Sequence, residues 1–333
     1  MSLMKRAGRL RALLRLVAPL LLGAAAAADD TAVVRLVDAE FAASDLACPA
    51  NGQTVYCLDP RTGAVLSVDP QTPARRRTAI AAAPAAGPRP LAIACIDTNT
   101  LAAVCRNGAA WSLRTWRLQP DTAVEFSAPL QDTAVGAAAE SAPSPHLLVM
   151  PSRDWLLVVG LPAPLPPLVR AALAGTRVGK PADSGCPPRP AAAIAAVAAN
   201  RLDETMLFTA PGDRPGRLMF HHPSGRPLLD LACDLPGVRD AACCAADGTL
   251  WAVGGDGSTD RPEGLWRLDA AMAGGRQVVR PVCVARLAAP QAVACVSHTA
   301  VVVAHGAGGR TLVRFDLVPR PRAAAATTPG ATP

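Results

Sequence analysis

The chain has 333 residues, of which 50% are hydrophobic, 3% aromatic and 18% charged, and its formal charge is +7. That is enough for a large core in one big all-β domain or two smaller ones, and its 33 prolines and 26 glycines punctuate apolar runs, which argues against disorder. Lys5, Arg6, Arg9, Arg11 and Arg15 supply five of the positive charges; no basic stripe interleaved with aromatics remains beyond them, so nucleic acid is not an expected partner.

The first segment reads as an export signal over residues 1–28. A basic, acid-free start is followed by an apolar stretch at 16–22 and then by small residues, with Ala26 and Ala28 at the preferred spacing for cleavage before Asp29. An Arg-rich organelle presequence is the other reading. The apolar stretch is short for a membrane span and contains Pro19, so no stable span is expected after removal, and the product is expected to be secreted or periplasmic. Residues 31–37 then form a β segment with no partner nearby in sequence.

From residue 45 the chain repeats. DLACPANGQTVYC (45–57) is followed by a loop and AVLSVD (64–69); DAACCAADGTLWA (240–252) is followed by a glycine-rich loop and GLWRLD (264–269). Each copy reads as a strand, a tight turn at Asn51-Gly52 or Asp247-Gly248, a second strand, a loop and a third strand. Weaker copies occupy the regions around 95, 149, 196 and 295. Anchored at Cys48, Cys95, Val149, Ala196, Cys243 and Cys295, the steps are 47, 54, 47, 47 and 52 residues. Repeats of four short antiparallel strands at this period predict a six-bladed β-propeller of four-stranded blades, over residues 29–320. Prolines at 88, 90, 143, 145, 187, 188, 190, 236 and 290 mark the blade joints, where no ladder N–H is needed. The last copy has three strands before a Pro/Ala/Thr tail (321–333) expected to be disordered, so the N-terminal strand is expected to complete its blade and close the ring.

The motifs ADGTLW (246–251) and NGQTVY (51–56), with third strands closing on Asp69, Asp269 and Asp316, resemble NHL-type blades. They are similar to related six-bladed propellers of the TolB-like and gluconolactonase-like groups. The resemblance implies a fold and leaves the activity open.

Ten cysteines in an exported chain invite disulfides, yet the register places Cys48 and Cys57 diagonally across a hairpin, farther apart than a bridge tolerates. Cys48, Cys95, Cys243 and Cys295 share one strand position, where a thiol acts as a small hydrophobe. No Cys/His spacing matches a zinc or haem site.

Ligands of propellers are taken on the face carrying the inter-blade and second-to-third-strand loops. Arg89, Arg189 and Arg239 precede three first strands there and can offer bidentate hydrogen bonds to an anion or an anionic sugar. Asp45 and Asp240 stand at two strand starts, and His305 ends a second strand. The loop 254–264 offers Asp256, Asp260 and Glu263 as oxygen donors for Ca²⁺, although its spacing departs from the EF-hand pattern. No H-E-x-x-H, G-x-S-x-G or Walker motif is present. The reading is therefore an exported, monomeric, non-catalytic binding or scaffold module with no resident cofactor, its partner a protein or an anionic or carbohydrate ligand. The alternative is a propeller enzyme, either a metal-dependent lactonase-like hydrolase or a quinone-dependent sugar dehydrogenase.

Overall fold

The computed structural model describes residues 32–37 and 42–316, apart from 72–75, 83, 85–86, 119–122, 131–144, 163–164, 167, 184–193, 210–215, 245–246 and 298–299. The expected leader and tail lie outside the described residues. Among these residues every regular element is a strand, and no helix is long and apolar enough to cross a membrane.

In chain order, β1 (Ala32–Val37) precedes blade one, which is formed by β2 (Asp45–Ala47), β3 (Val55–Leu58), β4 (Val65–Val68) and β5 (Arg76–Ile80). Blade two contains β6 (Arg89–Cys95), β7 (Thr100–Asn107), β8 (Ala110–Arg117) and β9 (Ala123–Pro129). In blade three, β10 (His146–Val149), β11 (Trp155–Val159) and β12 (Leu168–Ala174) are followed by two short pieces, β13 (Arg177–Val178) and β14 (Ala182–Asp183), both paired with β12. The outer strand of this blade is thus broken, with Pro181 between the pieces.

Blade four is β15 (Ile194–Ala199), β16 (Thr205–Thr209), β17 (Arg217–His221) and β18 (Pro227–Ala232). Blade five is β19 (Asp240–Cys243), β20 (Leu250–Gly254) and a long outer hairpin, β21 (Gly264–Ala273) with β22 (Arg276–Arg286). Blade six is β23 (Ala292–Ser297), β24 (Ala300–His305) and β25 (Thr311–Asp316). Its fourth strand is β1, which lies antiparallel to β25 from Ala32↔Asp316 to Val37↔Thr311. The six-bladed propeller and its closure by the N-terminal strand are as the repeat implies.

The apolar composition is explained by where the second strands lie. Residues 55–58 of β3, 250–254 of β20 and 300–304 of β24 are buried at every position. Successive side chains of a strand point to opposite faces, so one residue packs against the preceding blade and its neighbour against the following one. Tyr56 and Leu58 pack with Leu101, Ala103 and Trp116 of blade two; Val55 and Cys57, between them, pack with Val302 and Ala304 of blade six. In the same way, Trp251 and Val253 meet Val301, Val303 and Phe315, whereas Leu250 and Ala252 meet Phe208 and Leu218. The core is a ring of apolar slabs, one at each junction between blades. Small aliphatic side chains suffice because each slab is thin.

The register of the first hairpin agrees with the sequence: Leu46 lies opposite Cys57 and Ala47 opposite Tyr56. Its turn differs in detail. The amide of Gly52 donates to the carbonyl of Pro49 at 2.9 Å, so Asn51-Gly52 closes a longer turn. Gly52 has φ 65°, and a Cβ there would overlap the carbonyl oxygen of Val296 in blade six. Glycine is required on both counts.

Phe315 is fully buried in the slab between blades five and six, on the strand that receives β1. Phe315→Ala is expected to lower stability by about 3–5 kcal/mol, read as a lower urea midpoint with an unchanged m-value. A change under about 1 kcal/mol would contradict a core built from inter-blade slabs.

Candidate binding site in the central channel

The inner strands β2, β6, β10, β15, β19 and β23 surround a central channel whose cavity is about 520 Å³. Most of its wall is alanine, valine, isoleucine and leucine, the side chains that fit where six strands converge. Ionisable groups interrupt that wall at two levels.

The first level is at the strand starts, on the face of the inter-blade loops. Asp45, His146 and Asp240 line the cavity there, from blades one, three and five. The two aspartates are used identically. The amide of Leu46 donates to Asp45 Oδ1 at 2.9 Å, and that of Ile93 in blade two donates to Oδ2 at 2.8 Å. The amide of Ala241 donates to Asp240 Oδ1 at 2.8 Å, and that of Val293 in blade six donates to Oδ2 at 2.8 Å. The His146 ring is hydrogen-bonded to the main chain of Ala195 in blade four. Each polar side chain therefore ties its own inner strand to the next, and the blade it reaches offers apolar residues at the corresponding place: Ala92, Ala196 and Ala292.

Burial governs the protonation of these groups. Loss of solvent pushes Asp45 up to about 6 against the pull of its two amide donors. Asp240 is held well above the usual carboxylate range, first by burial and then by the charge of Asp45. Burial lowers His146 to about 4. Both carboxyl groups are thus pushed toward their protonated form, and the imidazole is neutral near neutral pH.

The second level lies three residues further along the strands, about 10 Å down the channel. Cys48, Cys95, Cys243 and Cys295 line it from blades one, two, five and six, which are consecutive around the ring. These four thiols are half-buried, whereas Cys57, Cys105, Cys233 and Cys244 are fully buried. Burial raises Cys48 and Cys243 to about 12 and lifts Cys95 and Cys295 well above the ordinary thiol range. All four are protonated at neutral pH and poor nucleophiles. No disulfide is present among the described cysteines. Arg153, in the turn between β10 and β11, lines the same end of the cavity.

The remaining residues singled out from the sequence sit elsewhere. Arg239 donates to Glu263 Oε1 at 2.7 Å and to the carbonyl of Pro290 at 2.8 Å. Glu263 Oε2 accepts the amide of Ala289 at 2.9 Å, so this pair fastens blade five to the joint leading into blade six. Asp256 Oδ1 accepts the amide of Ser258, which folds the 254–264 loop on itself, and Arg261 pairs with Asp234, which fastens that loop to the joint between blades four and five. Asp256, Asp260 and Glu263 are not brought together: among the described residues no three His, Cys, Asp or Glu side chains form a metal-holding group. Arg89 lies opposite Arg106 at the start of β6, and His305 lies opposite Thr311 at the end of β24. Neither they nor Arg239 line the cavity. Arg189 lies outside the described residues.

His146 is absent from the residues that sequence reasoning selected. Its signal was positional: it stands three residues before Val149, as Asp45 precedes Cys48 and Asp240 precedes Cys243.

No protein-family model and no curated protein matches the chain in sequence. Several solved structures match its fold. The PQQ-bound aldose sugar dehydrogenase of Streptomyces coelicolor is 11% identical, with a TM-score of 0.55 over 86% of this chain and 98% of that one. The major Malassezia sympodialis allergen Mala s 1 is 13% identical, with a TM-score of 0.53 over 85% and 96%. The hydrazine synthase of Kuenenia stuttgartiensis is 12% identical, with a TM-score of 0.51 over 79% and 74%. At these identities the likeness is one of fold.

The two kinds of channel group give opposite pH dependences. Asp45, raised from 3.8 to about 6, contributes stability that is complete below 3.8 and lost as pH rises through 6. His146, lowered from 6.5 to about 4, contributes stability present above 6.5 and lost as pH falls toward 4. Between pH 4 and 6 the two slopes offset each other. Relative to the parent protein, His146→Asn is expected to gain stability from pH 6.5 to pH 4, and Asp45→Asn to lose it, each on the order of 2 kcal/mol. Urea unfolding at pH 4, 5 and 6.5 reads this directly; parallel profiles for all three proteins would refute it.

Proposed function

We propose that the protein is an exported, non-catalytic binding module that holds a small hydroxylated ligand, such as a sugar, at the carboxylate end of its channel. The observation that carries this reading is the arrangement of Asp45 and Asp240. Each of their oxygens already takes one main-chain amide. A carboxylate oxygen has a second lone pair, which is left for a ligand, while the amides fix the group against swinging toward a reacting atom. Buried carboxyl groups that burial pushes toward the protonated form suit hydroxyl groups, which donate and accept. A cavity of about 520 Å³ lies in the range of small-molecule sites.

The channel favours a neutral ligand over an anion. Among the described residues lining it, the one arginine, Arg153, is at the opposite end from the carboxyl groups. The same fact bears on the quinone-dependent alternative. Pyrroloquinoline quinone carries carboxylates that call for cations at the mouth; among the described residues the ionisable side chains lining the channel there are Asp45, Asp240 and a neutral His146, which do not fit that group. The lactonase-like alternative needs a third oxygen donor beside the two aspartates, and no such group of three occurs among the described residues. One feature does favour catalysis: carboxyl groups whose pKa burial raises are what general acid–base chemistry uses.

Thermal denaturation in the presence of glucose, gluconate, Ca²⁺ or the quinone tests the reading. A neutral sugar is expected to raise the melting temperature with concentration, worth about 2.7 kcal/mol at a hundred times its Kd. Asp45→Asn with Asp240→Asn is expected to abolish the effect. Stabilisation by gluconate or the quinone alone, or turnover of any of these compounds, would overturn the proposal.

A further inference from the structure

The thiol end of the channel is a separate matter and does not rest on the sugar reading. Cys243, Cys295, Cys48 and Cys95 occupy one register position on four consecutive inner strands: Cys243 lies opposite Leu250, Cys295 opposite Val301 and Cys95 opposite Leu101. Cys48 continues the pairing in which Ala47 lies opposite Tyr56. Blade three has Val149 at this level, opposite Leu156, so packing alone is satisfied by an aliphatic side chain. Unlike Cys57, Cys105 and Cys233, the four line a common cavity, and they are more exposed than Cys244, which also lines it.

We infer that this arc binds a soft monovalent cation of the Cu(I) type, held between thiolates of neighbouring blades, Cys243 with Cys295 and Cys48 with Cys95. Ligand chemistry and geometry select the ion. Thiolate donors favour soft ions. Among the described residues no three donors converge, which leaves out tetrahedral zinc, with its closed set of four. A d¹⁰ monovalent ion is satisfied by two thiolates in line.

Binding is an exchange without electron transfer: Cu⁺ and two R–SH give the bis-thiolate complex, with charge −1, and two protons released to solvent. Arg153, at the same end of the cavity, supplies a positive charge near that anion. The other ionisable groups facing the cavity are Asp45, His146 and Asp240, at the far level, and the buried Cys244. Because burial keeps the four thiols protonated, the apparent affinity is expected to rise about 100-fold per pH unit between pH 6 and 8, two protons leaving per ion.

The experiment is an anaerobic titration of the reduced protein with Cu(I) against the chromophoric competitor bicinchoninate. Between one and two equivalents are expected to bind, with X-ray absorption showing two sulfur neighbours per copper. The variant with all four cysteines changed to Val, the residue of blade three at this level, is expected to lose binding, and Cys283→Ser to retain it. Should the fourfold variant fail to fold, the pair Cys48→Val and Cys295→Val removes one ligand from each site and is expected to do the same. No uptake from the competitor, an unchanged stoichiometry in the channel variants, or nitrogen and oxygen neighbours in the absorption spectrum would each overturn the inference.

Discussion

The middle strands have no face to spare. Residues 55–58, 250–254 and 300–304 are buried on both sides, so a blade with only one neighbour leaves half of each such strand facing water, and a blade on its own leaves all of it. At roughly 25 cal/mol per Å² of apolar surface, that exposure is severe for segments made of Val, Ala, Leu and Cys with Tyr56, Trp251 and one glycine. A blade is acceptable to water only with a neighbour on each side, and the requirement passes from blade to blade until the ring closes. The thin slabs, the low aromatic content and the borrowed fourth strand of blade six all follow from it.

Much of this was legible in the sequence because it rests on local chemistry. Glycines such as Gly52 and Gly248 adopt positive φ, prolines stop ladders, and alternating apolar runs of four to eight residues recur at a nearly fixed interval. The register of the first hairpin followed from its turn, since pairing by twos propagates from any fixed point. Less legible was the break in the outer strand of blade three, where Leu168–Ala174 is long and the pieces pairing with it have two residues each. Also hidden was the shift in β15 between Ile194 and Ala196, because a bulge changes spacing without changing composition.

The channel was legible in part. Asp45 and Asp240 announce themselves as carboxylates at apolar strand starts, but their use is not local: each takes an amide from a strand roughly fifty residues on. Glu263 and Arg239 illustrate the opposite error, since charged residues in a glycine-rich loop look available and here hold a joint together. His146 was passed over because its neighbours, Pro145 and Leu147, carry no motif. Its meaning comes from superposing the blades, which shows polar pins on the first, third and fifth and apolar partners between them. The channel also carries two unlike chemistries along one axis, hard oxygen donors at one end and soft sulfur donors about three residues away at the other.

The pairing of β1 with β25 has a further consequence for the life history of the molecule. A chain is made from its N-terminus, so the strand that completes the last blade is synthesised first and its partner last. In the interval five blades can stack while β1 stays unmatched, a solitary β segment with open edges. The last contact to form is then also the one of greatest sequence separation, the kind that topology makes slow. Nascent molecules held together before that search ends are open to exchanging first strands with one another, and a ring clasped by another molecule's strand would be a linked pair.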